Sequence, residues 1–101
     1  MMKEQRKVAD FAEEHELQGE IAHRILNLEA EVGEIAADAT KSTDWGVSPE
    51  NLEVKSDEIG DALFSLLLVA ESLEVDAGEA IDEALEKYQA RIAETGGASS
   101  R

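Results

Sequence analysis

Every long segment of this 101-residue chain has the pattern of a helix, so the fold class it predicts is all-α, a four-helix bundle-like arrangement in one domain. Three observations carry that expectation. Ala, Leu, Ile and Glu abound beside a single proline and only four aromatic residues, a composition suited to helices and not to a sandwich or barrel. Apolar residues recur at three- and four-residue intervals in each long segment. Turn-forming clusters separate those segments.

The first helix is expected over Lys3 to His15, where Val8, Phe11, Ala12 and His15 share one face. His15 ends that face, at a helix C-terminus where an imidazolium is favoured, and neither it nor His23 has metal-ligand spacing to a second His or Cys. Leu17 to Gly19 makes a turn. The second helix, Glu20 to Ala39, carries an apolar stripe of Ile21, Ile25, Leu28, Val32, Ile35 and Ala39. Beside it runs a polar stripe of Asn27, Glu31, Glu34 and Asp38. Gly33 sits inside this helix, which fits either close approach of a neighbour or an ordinary surface position.

Thr40 to Ser48 breaks the pattern and is expected as a loop lying over the mouth of whatever the long helices enclose; it contains Lys41 and the only tryptophan, Trp45. Trp45 has two uses open to it, stacking on a planar ligand or capping the core, and burial is the commoner one. Ser48-Pro49 is a helix start, and the helix either runs unbroken to Leu73 or restarts near Ser56. Its second half is apolar on most faces, with Glu58, Asp61, Ser65 and Ser72 along one side. Burial of that kind in so short a chain calls for a second subunit. Asp76 to Glu79 has capping-box form and opens the last helix, with an inner face of Ala77, Ile81, Leu85, Tyr88 and Ile92. Gly96 and Gly97 stop it. The domain therefore spans residues 1–95, with 96–101 a disordered tail.

Twenty-four acidic against nine basic residues give a net charge of -15, which excludes a general hold on nucleic-acid polymers or an anionic membrane. It suits a solvated surface in a salt-rich, halophilic cytoplasm. No cysteine is present, so disulfides and thiolate metal sites are excluded and a cytoplasmic location is the simplest expectation. The longest uncharged run, Ala62 to Ala70, is far short of a bilayer span.

Two acidic pairs stand out, Glu31 with Glu34 and Glu58 with Asp61, each one helical turn apart. Spacing alone is weak, because about five or six acidic pairs at this interval are expected by chance in so acidic a chain. Context adds weight. Glu58 and Asp61 head the most apolar segment, and antiparallel packing of the second and third helices would bring the other pair opposite. Four carboxylates together need protons or a cation. Hard oxygen donors without His or Cys select magnesium, manganese or calcium, and Mg²⁺ commonly shares its coordination with phosphate oxygens. A phosphorylated substrate is thus the natural partner.

The runs LEAEVGEIAAD (Leu28 to Asp38), DEIGDALFSLLLVAESLEVDAGEA (Asp57 to Ala80) and EKYQAR (Glu86 to Arg91) resemble the MazG-like all-α nucleoside triphosphate pyrophosphohydrolases, whose signature is EExxE, a spacer and ExxD. One position departs: the first Glu of EExxE is Ala30 here. The resemblance implies metal ligands at Glu31, Glu34, Glu58 and Asp61, phosphate contacts from Lys87 and Arg91, and a bundle completed by dimerisation. It implies a nucleoside monophosphate and pyrophosphate as products. On this reading Mg²⁺, with Mn²⁺ as a substitute, is the cofactor, a nucleoside triphosphate is the substrate, and the assembly is a homodimer or homotetramer. Glu34 is expected to act as general base, and Lys41 and Trp45 to join Lys87 and Arg91 in substrate binding. Two other readings remain: a non-catalytic acidic helical dimer that binds cations or a partner protein, and a related phosphoribosyl-ATP pyrophosphatase.

Overall fold

The computed structural model describes residues 2–96 and is all-α, with four helices and one short 3₁₀ turn. Helix α1 spans Lys3–Glu14, α2 Ile21–Ser42, α3 Ser56–Ser72 and α4 Ala77–Thr95, with the 3₁₀ turn at Pro49–Asn51. Helix α3 is central: α2 packs along it most extensively and α1 packs on it from another side. The α2–α3 pair is antiparallel. Arg24 Nη1 donates to Ser72 Oγ (2.6 Å) at one end, and the Lys55 N–H points at Asp38 Oδ2 (3.5 Å) at the other.

The second helix outruns its expected end at Ala39 by three residues. Thr40 and Thr43 donate their hydroxyls to the carbonyls of Ala36 and Ala39 (2.9 and 2.6 Å), so β-branched residues that the sequence assigned to a loop extend the last turn instead. The buried Thr43 hydroxyl then accepts the Gly46 N–H (3.0 Å). Asp44, Trp45 and Gly46 follow with φ of 51°, 58° and 86°, a left-handed run that turns the chain off the helix. This geometry holds Trp45 outward at 84 % exposure, so it does not cap the core.

Pro49 opens only the 3₁₀ turn, and the Ser48 side chain makes no cap hydrogen bond. The chain then runs extended to Lys55, held by the Ser42 hydroxyl accepting the Glu53 N–H (2.9 Å), and α3 restarts at Ser56. Asp76 does cap α4, accepting the N–H groups of Gly78 and Glu79 (2.9 and 3.2 Å). Gly96, at φ 78°, closes that helix. Of the expected tail at 96–101, residues 97–101 lie outside the described residues.

A buried glutamine locks α1 to the α3–α4 corner. Gln5 is 1 % exposed; its Nε2 donates to the Val75 carbonyl (2.8 Å) and Glu71 Oε2 (3.3 Å), and its Oε1 accepts the Ala77 N–H (2.8 Å). One amide thereby satisfies both sides of the turn.

The buried apolar core is small, comprising Val8, Leu67 and Val69 among the described residues. The stripe expected to be buried on α4 is open, with Leu85 58 % exposed and Ile81, Tyr88 and Ile92 exposed beside it. Ile59, Leu63 and Leu66 of α3, and Leu73 just after it, are exposed as well. The chain presents 7662 Å² of accessible surface, where a compact monomer of 11.0 kDa would present about 5,600 Å². Its radius of gyration is 16.5 Å against about 13 Å for a compact domain of this length.

Candidate active site

The antiparallel register of α2 on α3 decides which acids meet. With Arg24 at Ser72 and Asp38 at Lys55, the polar stripe of α2 runs along the polar side of α3. Glu58, in the first turn of α3, is half-buried at the end where Asp38 arrives. Its carboxyl is pushed above the usual carboxylate range, first by loss of water around it and then by the charges of Asp38, Glu34, Asp57 and Asp61. Those residues form one acidic neighbourhood centred on Glu58.

The structure thus brings Glu34 and Asp61 of the sequence-derived set towards Glu58. Glu31 is half-buried one turn back along α2 and is not among the charges that shift Glu58. Asp38 belongs to the neighbourhood although the sequence reading left it out of the ligand set. Its signal was present in the Asn27, Glu31, Glu34, Asp38 stripe, but the register needed to interpret it is set by contacts between distant segments.

None of Glu31, Glu34, Glu58 and Asp61 accepts a hydrogen bond or pairs with a cation among the described residues, and no three His, Asp or Glu side chains stand close enough there to hold a metal ion in this conformation. The donor set nonetheless fits a hard divalent cation. It is all carboxylate oxygen, and Glu34 and Asp61 are exposed with no polar partner among the described residues. At Gly33, beside Glu34, an added Cβ would meet open space, so no neighbouring helix of this chain approaches there.

The expected substrate-binding residues fall into two places. Lys41 lines an open cavity of about 290 Å³ with Asp38, Ser42, Glu53 and Lys55, at the mouth between the end of α2 and the start of α3. Trp45 is on the loop that leaves this mouth. Lys87 and Arg91 are on α4, where they flank the Tyr88 ring at 5.2 and 5.7 Å from its centroid. Helix α4 has no extended packing on α2 or α3, the helices that carry the Glu58 neighbourhood.

An apolar hollow lies on another side of α3, towards α1, between Phe11 and Phe64, whose rings meet edge to face with centroids 6.0 Å apart. His15 lies against Phe11 at 4.4 Å. No helix among the described residues is long and apolar enough to cross a membrane.

A family model for the MazG nucleotide pyrophosphohydrolase domain matches residues 11–95, which take in the end of α1 and all of α2, α3 and α4. No curated protein and no solved structure matches the chain.

Proposed function

The chain belongs to the MazG nucleotide pyrophosphohydrolase domain family, and from that premise we propose that it is a Mg²⁺-dependent hydrolase converting a nucleoside triphosphate to the monophosphate and pyrophosphate. The observation that carries this reading is Glu58, half-buried and surrounded by Asp38, Glu34, Asp57 and Asp61, with no ion pair to Glu58 among the described residues. Such an arrangement is unfavourable until a divalent ion shares it.

Glu31, Glu34, Glu58 and Asp61 would hold the metal, Mn²⁺ serving in place of Mg²⁺. Bound there, the ion supplies charge neutralisation on the phosphate oxygens. Glu34, exposed and without a polar partner, takes the proton of the attacking water as its oxygen bonds to phosphorus and the bridging oxygen departs with pyrophosphate. Lys41 at the mouth, together with Lys87 and Arg91, offsets charge on the departing group, and Trp45 contributes an exposed aromatic face beside the mouth.

The active form in this reading is a homodimer or homotetramer. The support is an accessible surface about 2,000 Å² larger than a compact monomer of this mass needs. That excess per chain is the scale that obligate interfaces bury. Exposed apolar side chains of α2, α3 and α4, among them Ile25, Val32, Leu63, Leu66, Ile81 and Leu85, contribute to it. A salt-rich cytoplasm is the setting that the -15 charge suits.

The test is pyrophosphate release from a panel of nucleoside triphosphates with Mg²⁺, repeated with chelator. Turnover that stops with chelator supports the reading; a folded protein inert towards the whole panel leaves the non-catalytic acidic helical assembly in its place.

A further inference from the structure

Among the described residues no helix packs extensively along α4, a helix of 19 residues and so about 28 Å long. Its direction is therefore set at the short corner that follows α3. Helix α3 closes with Glu74 in the left-handed region at φ 57°, the Glu74 N–H donating to the Glu71 carbonyl (3.1 Å) and the Val75 N–H to the Ala70 carbonyl (2.9 Å). Asp76 then caps α4 at the Gly78 and Glu79 N–H groups. Each helix end is thus tied within its own helix, and the backbone torsions at Val75 and Asp76 set the angle between the two.

Gln5 bridges those torsions from α1. Its side-chain amide donates to the Val75 carbonyl and accepts the Ala77 N–H, both at 2.8 Å, so it pairs with the backbone on either side of Asp76 as a neighbouring peptide would. At 1 % exposure it is shielded from competing water. A Cβ added at Gly78 would stand 3.6 Å from Met2 Cβ, so the chain entering α1 also lies directly against the first turn of α4. Met2 and Gln5 both precede residue 11, where the family match begins, and the bridge is contributed from outside the matched region. We propose that the corner at Val75 and Asp76 is a hinge, that α4 is an arm turning on it, and that Gln5 is the pin that holds the arm at one angle. A turn of about 20° at the hinge moves the far end of α4 by about 10 Å. Lys87 and Arg91, about 15 and 21 Å along the helix from Ala77, travel with it. The hinge stands whether or not the chain hydrolyses nucleotides.

The test is an electron paramagnetic resonance distance between spin labels at Glu29→Cys on α2 and Glu94→Cys near the end of α4, both exposed positions in a chain with no cysteine of its own. Labelled protein is diluted into an excess of unlabelled protein, so that only distances within one chain are read. The labels are placed in the parent, in Gln5→Met and in Ala77→Pro. Gln5→Met fills the buried space without an amide. Ala77→Pro removes the N–H that Gln5 accepts, at the first helical position, where proline is favoured. The expected result is one narrow distance in the parent and a distribution on the order of 10 Å wider in both variants, with helix content by circular dichroism unchanged. Ala77→Pro leaves Gln5 in place and decides the outcome if Gln5→Met does not fold. A parent distribution as broad as the variants', an equally narrow one in either folded variant, or broadening that comes with loss of helix content would each overturn the pin.

Discussion

Glu58 is where burial and like charge meet, and its neutral replacement separates a site from a surface. Glu58→Gln is predicted to lose Mg²⁺-dependent pyrophosphate release by on the order of 100-fold or more, because a displaced ligand misplaces the triphosphate. Folding should survive, since burial and four neighbouring acids already disfavour the charge, and the metal-free Tm should stay level or rise. Glu29→Gln, an exposed acid on α2 outside that neighbourhood, is the comparison; equal loss there would contradict the site. Asp38→Asn is predicted to impair turnover as well, measurable in the same assay. The pairs Glu31 with Glu34 and Glu58 with Asp61 were legible in the sequence, because three-residue spacing on a helix fixes a shared face. The inclusion of Asp38 was not, because it depends on how far α2 slides along α3, and the Arg24–Ser72 contact that accompanies this register joins residues 48 apart.

Among the elements, the corner between α3 and α4 is held by two polar side chains with different tests. Gln5→Ala leaves the Val75 carbonyl and the Ala77 N–H without their buried partner and is predicted to cost about 1–3 kcal/mol in urea unfolding. An unchanged midpoint would remove the glutamine from the account. Asp76 is held below its ordinary 3.8, first by the Glu79 N–H and, against the opposing effect of burial, by the positive chain N-terminus and then the Gly78 N–H. Its ionised form therefore stabilises the fold above the unfolded value, and that contribution disappears as pH falls through the lower folded value. Asp76→Asn keeps a capping oxygen and should flatten this acid limb of the Tm profile, whereas Asp76→Ala should lower Tm at neutral pH too. This cap was readable as D-x-x-E. The Ser48-Pro49 start was misleading, since that local signal yields a single 3₁₀ turn and the extended segment ending at Lys55 is tied back by Ser42. The last turn of α2 was hidden for a similar reason, as Thr40 and Thr43 resemble loop residues until their hydroxyls find the carbonyls behind them.

For the whole molecule, helical periodicity made the all-α class plain, while the faces it marked for burial remain open in one chain. Sequence pattern states that a face is apolar, but whether the same chain or another covers it depends on chain length and helix direction. Sedimentation is predicted to show a dimer or larger assembly at micromolar concentration; a stable folded monomer would contradict the proposed assembly. With -15 net charge, Tm is predicted to rise from low to multimolar potassium chloride as repulsion is screened, and a flat profile would detach the acidic surface from a saline setting. The assignment of the assembled protein as a pyrophosphohydrolase is tested most directly by identifying the phosphorus-containing products of nucleoside triphosphate turnover with Mg²⁺ by ³¹P NMR. The predicted result is equal amounts of nucleoside monophosphate and pyrophosphate from the parent protein, falling to a small residue in Glu58→Gln. Nucleoside diphosphate with orthophosphate, or no product from any triphosphate offered to folded protein, would contradict it.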